Sequence, residues 1–156
     1  MRELGYNYRI TDFQCALGSQ QLRKLPSFLQ RRQKIAKSYD LAFSDFSAVC
    51  PVKTSIGLEH AYHLYVIQFE LEQLRADRME IFKALRAEGI GVNVHYIPVY
   101  LHPFYRTRFN TRPGLCPKAE KAYERMISLP VFPGMMEQDV MDVVEAVRKV
   151  VMWYLR

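Results

Sequence analysis

Tyr6, Asn7, Tyr8 and Arg9 put two phenols, an amide and a guanidinium within four residues, directly ahead of Thr11 and Gln14. Thr and Gln at that spacing form a capping box, the Thr side chain accepting from an early helix N–H while Gln reaches back to the cap backbone. A helix start beside Asn and Arg attracts an anion such as phosphate, because the first N–H groups are unpaired and the dipole is positive there. A capped helix behind a polar entry loop fits the same residues without any ligand. A second group is His95-Tyr96, followed by Tyr100, His102 and Tyr105. It lies at the end of a strand expected over 92–97, where side chains point into the crevice beyond a sheet and can hydrogen-bond a polar, sugar-like or phosphorylated ligand. The alternative is that these rings only pack and find local partners. His60 and His63 are read as structural histidines, one in a loop and one on an aromatic strand face.

Other chemistries find no footing in the sequence. The four histidines lack the HxxxH or HExxH spacing of a metal site, so no metal ligands are assigned. There is no nucleophile elbow and no Gly-rich phosphate loop, and hence no catalytic residue to name. The eight lysines fall on expected helices or, for Lys53, in a loop, and none sits where burial would depress its pKa for covalent work. Cys15, Cys50 and Cys116 are widely spaced and form neither a disulfide framework nor a zinc cluster.

The elements that must position these residues are those of one α+β domain over 1–156, an α/β two-layer arrangement. Helical spacing of Phe13, Ala16 and Leu17, then Leu22 and Leu25, predicts a first helix that Pro26 interrupts; Phe28, Leu29, Ile35, Ala36, Tyr39 and Phe43 predict a second. A short strand is expected near 48–52 and a longer one over 62–70. Asp77 and Glu80 box the start of a helix that Gly89 ends, so 62–97 reads as strand, helix, strand. The aromatic and basic segment 99–108 precedes a turn-rich loop, a short helix over 118–127 and a proline-fixed extended stretch at 129–133. A last helix begins near Met136 or Glu137, with Val140, Val143, Val144, Val147 and Val151 on one stripe.

Composition agrees, with 49% hydrophobic and 24% charged residues and a net charge of +6. Residues 1–43 hold eight basic and three acidic side chains, most of that excess. The cluster Gln30-Arg31-Arg32-Gln33-Lys34 fits a solvated helix face better than a nucleic-acid interface, for no nucleic-acid motif accompanies it. No apolar stretch nears the ~20 residues of a membrane span and no secretory signal is visible, which makes the cytoplasm the expected compartment.

The run from Leu4 through Gly18, with Arg31, Arg32 and Tyr39, resembles the start of the C-terminal part of the pyridoxal-phosphate-dependent sugar aminotransferases of the DegT, DnrJ and StrS type. The blocks 89–100 and 128–135 resemble later blocks of that family, in order. Within it, the wording His63-Leu64-Tyr65-Val66 and His95-Tyr96-Ile97-Pro98 is similar to members that aminate a UDP-linked 4-keto-6-deoxy-N-acetyl sugar on the way to pseudaminic acid. The resemblance implies the small C-terminal domain of a fold type I enzyme, active as a homodimer, with glutamate as donor and pyridoxal 5'-phosphate as cofactor. It implies that Asn7, with Arg9 nearby, meets the cofactor phosphate of the neighbouring subunit, and that Tyr6, His95, Tyr96 and Tyr100 face the nucleotide sugar. The lysine that carries the cofactor and the aspartate that pairs its ring belong to an N-terminal domain these residues do not include, so the chain is not expected to transaminate alone. Met136 stands where relatives usually place a capping Thr, a loss of about 1 kcal/mol. The competing expectation is a standalone, non-catalytic module that binds a nucleotide sugar or another protein.

Overall fold

The computed structural model describes residues 5, 6, 8–55 and 57–156. Asn7 and residues 1–4 therefore lie outside the described residues. The chain opens with α1 (Asp12–Phe43), followed by β1 (Val49–Pro51), β2 (Tyr65–Phe69), α2 (Arg78–Ala87), α3 (Pro103–Phe109), α4 (Pro117–Arg125), β3 (Met126–Leu129) and α5 (Glu137–Tyr154). The three strands form one antiparallel sheet in the order β1-β2-β3, with Val49 opposite Phe69, Ile67 opposite Ile127 and Tyr65 opposite Leu129. This is the mixed helical and small-sheet architecture expected from the sequence.

Tyr65, Ile67 and Phe69 are buried while Val66 and Gln68 are half-buried, so β2 gives one face to the core and has the other partly covered. Ile35, Ala36, Tyr39 and Phe43 come down from α1, Ile81 and Leu85 from α2, and Val140, Val143, Val147, Val150 and Val151 from α5. Burying each such Val, Ile or Leu contributes roughly 1.5–3 kcal/mol relative to leaving it in water. The α2 capping box is present in full, Asp77 accepting from the Glu80 N–H at 2.8 Å and Glu80 accepting from the Asp77 N–H at 2.9 Å. Gly89 closes that helix with a φ of +81°, a conformation open to glycine at no steric cost.

Three sequence expectations need correction. First, Pro26 does not divide the N-terminal helical region, and α1 runs unbroken through it. A proline inside a helix removes one N–H and crowds the preceding turn, but here the turn lies on the exposed half of α1, where nothing fixes a bend, and the Ser27 hydroxyl donates to the Lys24 carbonyl at 2.8 Å. Second, 92–97 is not a strand: it touches β3 through a single bridge, Asn93 to Ser128. The third strand is instead β3, read from sequence as the end of a helix and the start of an extended stretch.

Third, the basic cluster of α1 is not a solvated face. Arg32 donates to the carbonyls of Tyr62 at 2.9 Å and Val131 at 2.8 Å, and Arg31 to the Met135 carbonyl and to Glu137 at 2.9 Å. The two guanidiniums therefore clamp the segments that enter β2 and leave β3, at one end of the sheet, to α1. Arg32 lies one turn from Ala36 and two from Tyr39, on the buried stripe, a periodicity legible in the sequence. Tyr62, in the left-handed region at φ +46°, is one of the residues so held.

Candidate functional site

The start of α1 is built as the sequence predicts. Thr11 is the N-cap, the Gln14 N–H donates to its hydroxyl at 3.3 Å, and the Thr11 N–H donates to the Gln14 side chain at 2.9 Å. Ahead of it Tyr6 and Tyr8 are 79% and 90% exposed, and their rings stack on each other at 5.5 Å. The first half of α1 is exposed as well, with Phe13 79% and Leu22 67% accessible. The polar segment and its helix start thus project beyond the packed core, with an apolar stripe behind them.

His95 and Tyr96 come off the bridge to β3. The His95 Nδ1 lies 2.9 Å from the Ser128 hydroxyl, and Ser128 is buried on β3. One ring nitrogen is thereby held by a buried side chain, which orients the imidazole. The Tyr96 ring packs edge-on to His95 at 4.7 Å and is itself exposed. Sequence reasoning did not single out Ser128; no residue pattern pairs it with a histidine 33 positions away.

Tyr100 is used differently. Its hydroxyl hydrogen-bonds Glu120, which also accepts the Gly114 N–H at 2.7 Å, while the Thr111 hydroxyl donates to the Tyr100 carbonyl at 2.6 Å. Desolvation and the Glu120 carboxylate push the Tyr100 phenol up to about 12, and the same hydrogen bond holds Glu120 below the usual carboxylate range. Tyr100 is the fastening point of the 111–120 loop, and any ligand contact it makes is through the ring. His60 accepts the Tyr62 N–H at 3.0 Å, a structural role as read. In the core, burial above all, with Asp139 near Tyr39 and an Asp40 hydrogen bond to Tyr65, raises both phenols.

These residues can bind and orient. A phosphate suits the helix start, with its dipole and Arg9 close by in sequence. All eight lysines are exposed. Among the described residues no group of His, Cys, Asp or Glu is placed to hold a metal, and no helix is long and apolar enough to cross a membrane.

A small antiparallel sheet between a long N-terminal helix and a C-terminal helix, with an exposed polar segment at one end, is the small-domain architecture of the pyridoxal-phosphate aminotransferases. The model of the DegT/DnrJ/EryC1/StrS aminotransferase family matches residues 1–148, and the chain belongs to that family. It is 39% identical to the Bacillus subtilis spore coat polysaccharide biosynthesis protein SpsC over 94% of this chain and 38% of that one. To the Helicobacter pylori UDP-4-amino-4,6-dideoxy-N-acetyl-beta-L-altrosamine transaminase it is 32% identical, over 96% of this chain and 39% of that one. The solved structure of H. pylori PseC, described as an aminotransferase involved in the biosynthesis of pseudoaminic acid, superposes with a TM-score of 0.89 at 31% identity, over 98% of this chain and 40% of that one. The chain spans about two-fifths of the length of these relatives.

Proposed function

We propose that this chain is the small, C-terminal domain of a nucleotide-sugar 4-aminotransferase that moves an amino group from glutamate to a UDP-linked 4-keto-6-deoxy sugar. The observation that carries the reading is the likeness to the H. pylori enzyme along almost the whole chain, in sequence and in backbone. The exposure of every lysine supports a division of labour in which the amine that holds the cofactor comes from a preceding large domain. Pyridoxal phosphate, when bound, supplies the electron sink for amino transfer. This chain's part is to bind and enclose. Asn7 and Arg9, with the start of α1, take the cofactor phosphate of the neighbouring subunit in a cytoplasmic homodimer. Tyr6, His95, Tyr96 and the ring of Tyr100 line the sugar side, His95 offering a nitrogen whose orientation Ser128 fixes.

The test is made in an intact-length parent carrying these residues. Asn7→Ala should weaken cofactor retention by about tenfold, the worth of one charge-assisted hydrogen bond, read as loss of the bound chromophore on dialysis. Unchanged retention would contradict the assignment of Asn7.

A further inference from the structure

Trp153, the only tryptophan of the chain, is 75% exposed, and Met152 beside it is exposed as well. Neither sits on a fraying end, because residues 153–156 are stitched to the 73–75 segment. The Arg75 N–H donates to the Tyr154 carbonyl at 2.8 Å and its guanidinium to the Trp153 carbonyl at 3.0 Å; the Arg156 N–H donates to the Gln73 carbonyl at 3.1 Å, and Leu155 bridges Leu74. The indole is thus held out to solvent on a fixed backbone, at the rim of a groove of about 510 Å³ between α2 and α5 that Ala84, Ala87, Val150 and Tyr154 also line. Lys149 and Glu88, 2.7 Å apart, tie the two helices together along it. Charge is divided between those helices. Lys83 and Arg86 stand on the exposed stripe of α2 and Asp142 and Glu145 on that of α5, and none of the four enters an ion pair among the described residues.

We propose that this face is a second interface between copies of the chain, in which each Trp153 enters the partner's alanine-lined groove. A basic strip and an acidic strip on either side of an apolar groove are complementary to a copy of themselves. A two-fold axis running along the groove sets α2 of one copy against α5 of the other, so that Lys83 and Arg86 meet Asp142 and Glu145 twice over. Tryptophans set in well-packed pockets are the anchors that carry most of the energy of such contacts. An anionic lipid surface would meet Lys83 and Arg86 but be repelled by Asp142 and Glu145, and an acidic or a basic protein would likewise match one strip only. The face is also remote from the polar segment before α1. Arg31 holds Glu137 at the start of α5 and Arg148 reaches the Ala42 carbonyl, so α5 runs beside the second half of α1 and ends level with its last turn, about 45 Å of helix from its first. A copy seated here leaves that segment free for the neighbouring subunit of the homodimer proposed above.

Because Trp153 is the sole tryptophan, its emission reports this face and no other. The experiment follows the emission and iodide quenching of the 156-residue chain over a concentration series, beside its mass by sedimentation equilibrium. As concentration rises the emission should move to the blue and quenching should fall, in step with a doubling of mass. Lys83→Glu/Arg86→Glu makes both strips acidic and Asp142→Lys/Glu145→Lys makes both basic, so each double variant should self-associate about tenfold more weakly, like charges now facing each other. Mixed in equal amounts, the two should pair with one another and restore the blue shift, a rescue between chains that a merely structural role would not give. If either double variant loses its helical circular dichroism, Ala87→Gln, which fills the groove, carries the comparison and should weaken the association. The interface is overturned by an emission that concentration does not change, whether the chain stays monomeric or doubles its mass through the exposed stripe of α1. It is equally overturned by failure of the mixture to restore the shift, or by a blue shift that phosphatidylglycerol vesicles produce and concentration does not.

Discussion

His95 is useful to a ligand only if its ring is held, and the side chain that holds it is the buried Ser128 hydroxyl 2.9 Å from Nδ1. Removing that hydroxyl strands a half-buried nitrogen and frees the imidazole to rotate. Ser128→Ala should therefore cost about 1 kcal/mol of stability and broaden the His95 ring into a mixture of tautomers, seen in its ¹⁵N shifts, while Ser128→Thr should keep one tautomer. Identical spectra in all three proteins would show that Ser128 does not orient the ring. The start of α1 is a different case. The Thr11 and Gln14 box was legible because both partners lie within one helical turn, where spacing alone dictates the contact. The Ser128–His95 pair joins two segments distant in sequence, and no local periodicity reports it.

Among the elements, local rules served where local forces decide. The α2 capping box, its terminal glycine and the valine stripe of α5 all appeared where the pattern put them. They failed where tertiary contacts decide. Segment 92–97 has the composition of a strand but makes only one bridge, Asn93 with Ser128, to the outer edge of β3. Arg31 and Arg32 carry the charge of a solvated face but lie on the stripe that packs, so they spend their donors on loop carbonyls and on Glu137. That last contact has a pH signature. The hydrogen bonds from Arg31 first and Lys34 second hold the Glu137 carboxyl below its ordinary value of 4.5. Such a group stabilises the fold above the ordinary value and loses its contribution as pH falls through the lowered one. Urea midpoints followed downward from neutral pH should fall less steeply for Glu137→Gln than for the unmodified chain on the acid side of 4.5. Parallel curves would show that the α1–α5 clamp does not depend on that carboxylate.

On the scale of the whole molecule, the sheet and the second half of α1 make a core that closes on itself, whereas the first half of α1, residues 8–11 and the 99–121 lobe do not. Phe13, Leu17, Leu22 and Leu25 give α1 an exposed apolar stripe, the periodicity from which the sequence predicts an amphipathic helix. Exposed apolar stripes of this kind mark contact surfaces, and the family relatives are about two and a half times as long as this chain. Under the proposed function the chain is a binding half, with an imidazole and aromatic rings for a nucleotide sugar, a helix start for a phosphate, and the reactive amine supplied by another domain. The most direct measurement gives the purified chain pyridoxal phosphate, glutamate and a UDP-4-keto-6-deoxy-N-acetylhexosamine, and follows the amino sugar by mass spectrometry. The account predicts no product above the protein-free control, and amino sugar formed by this chain unaided would contradict it.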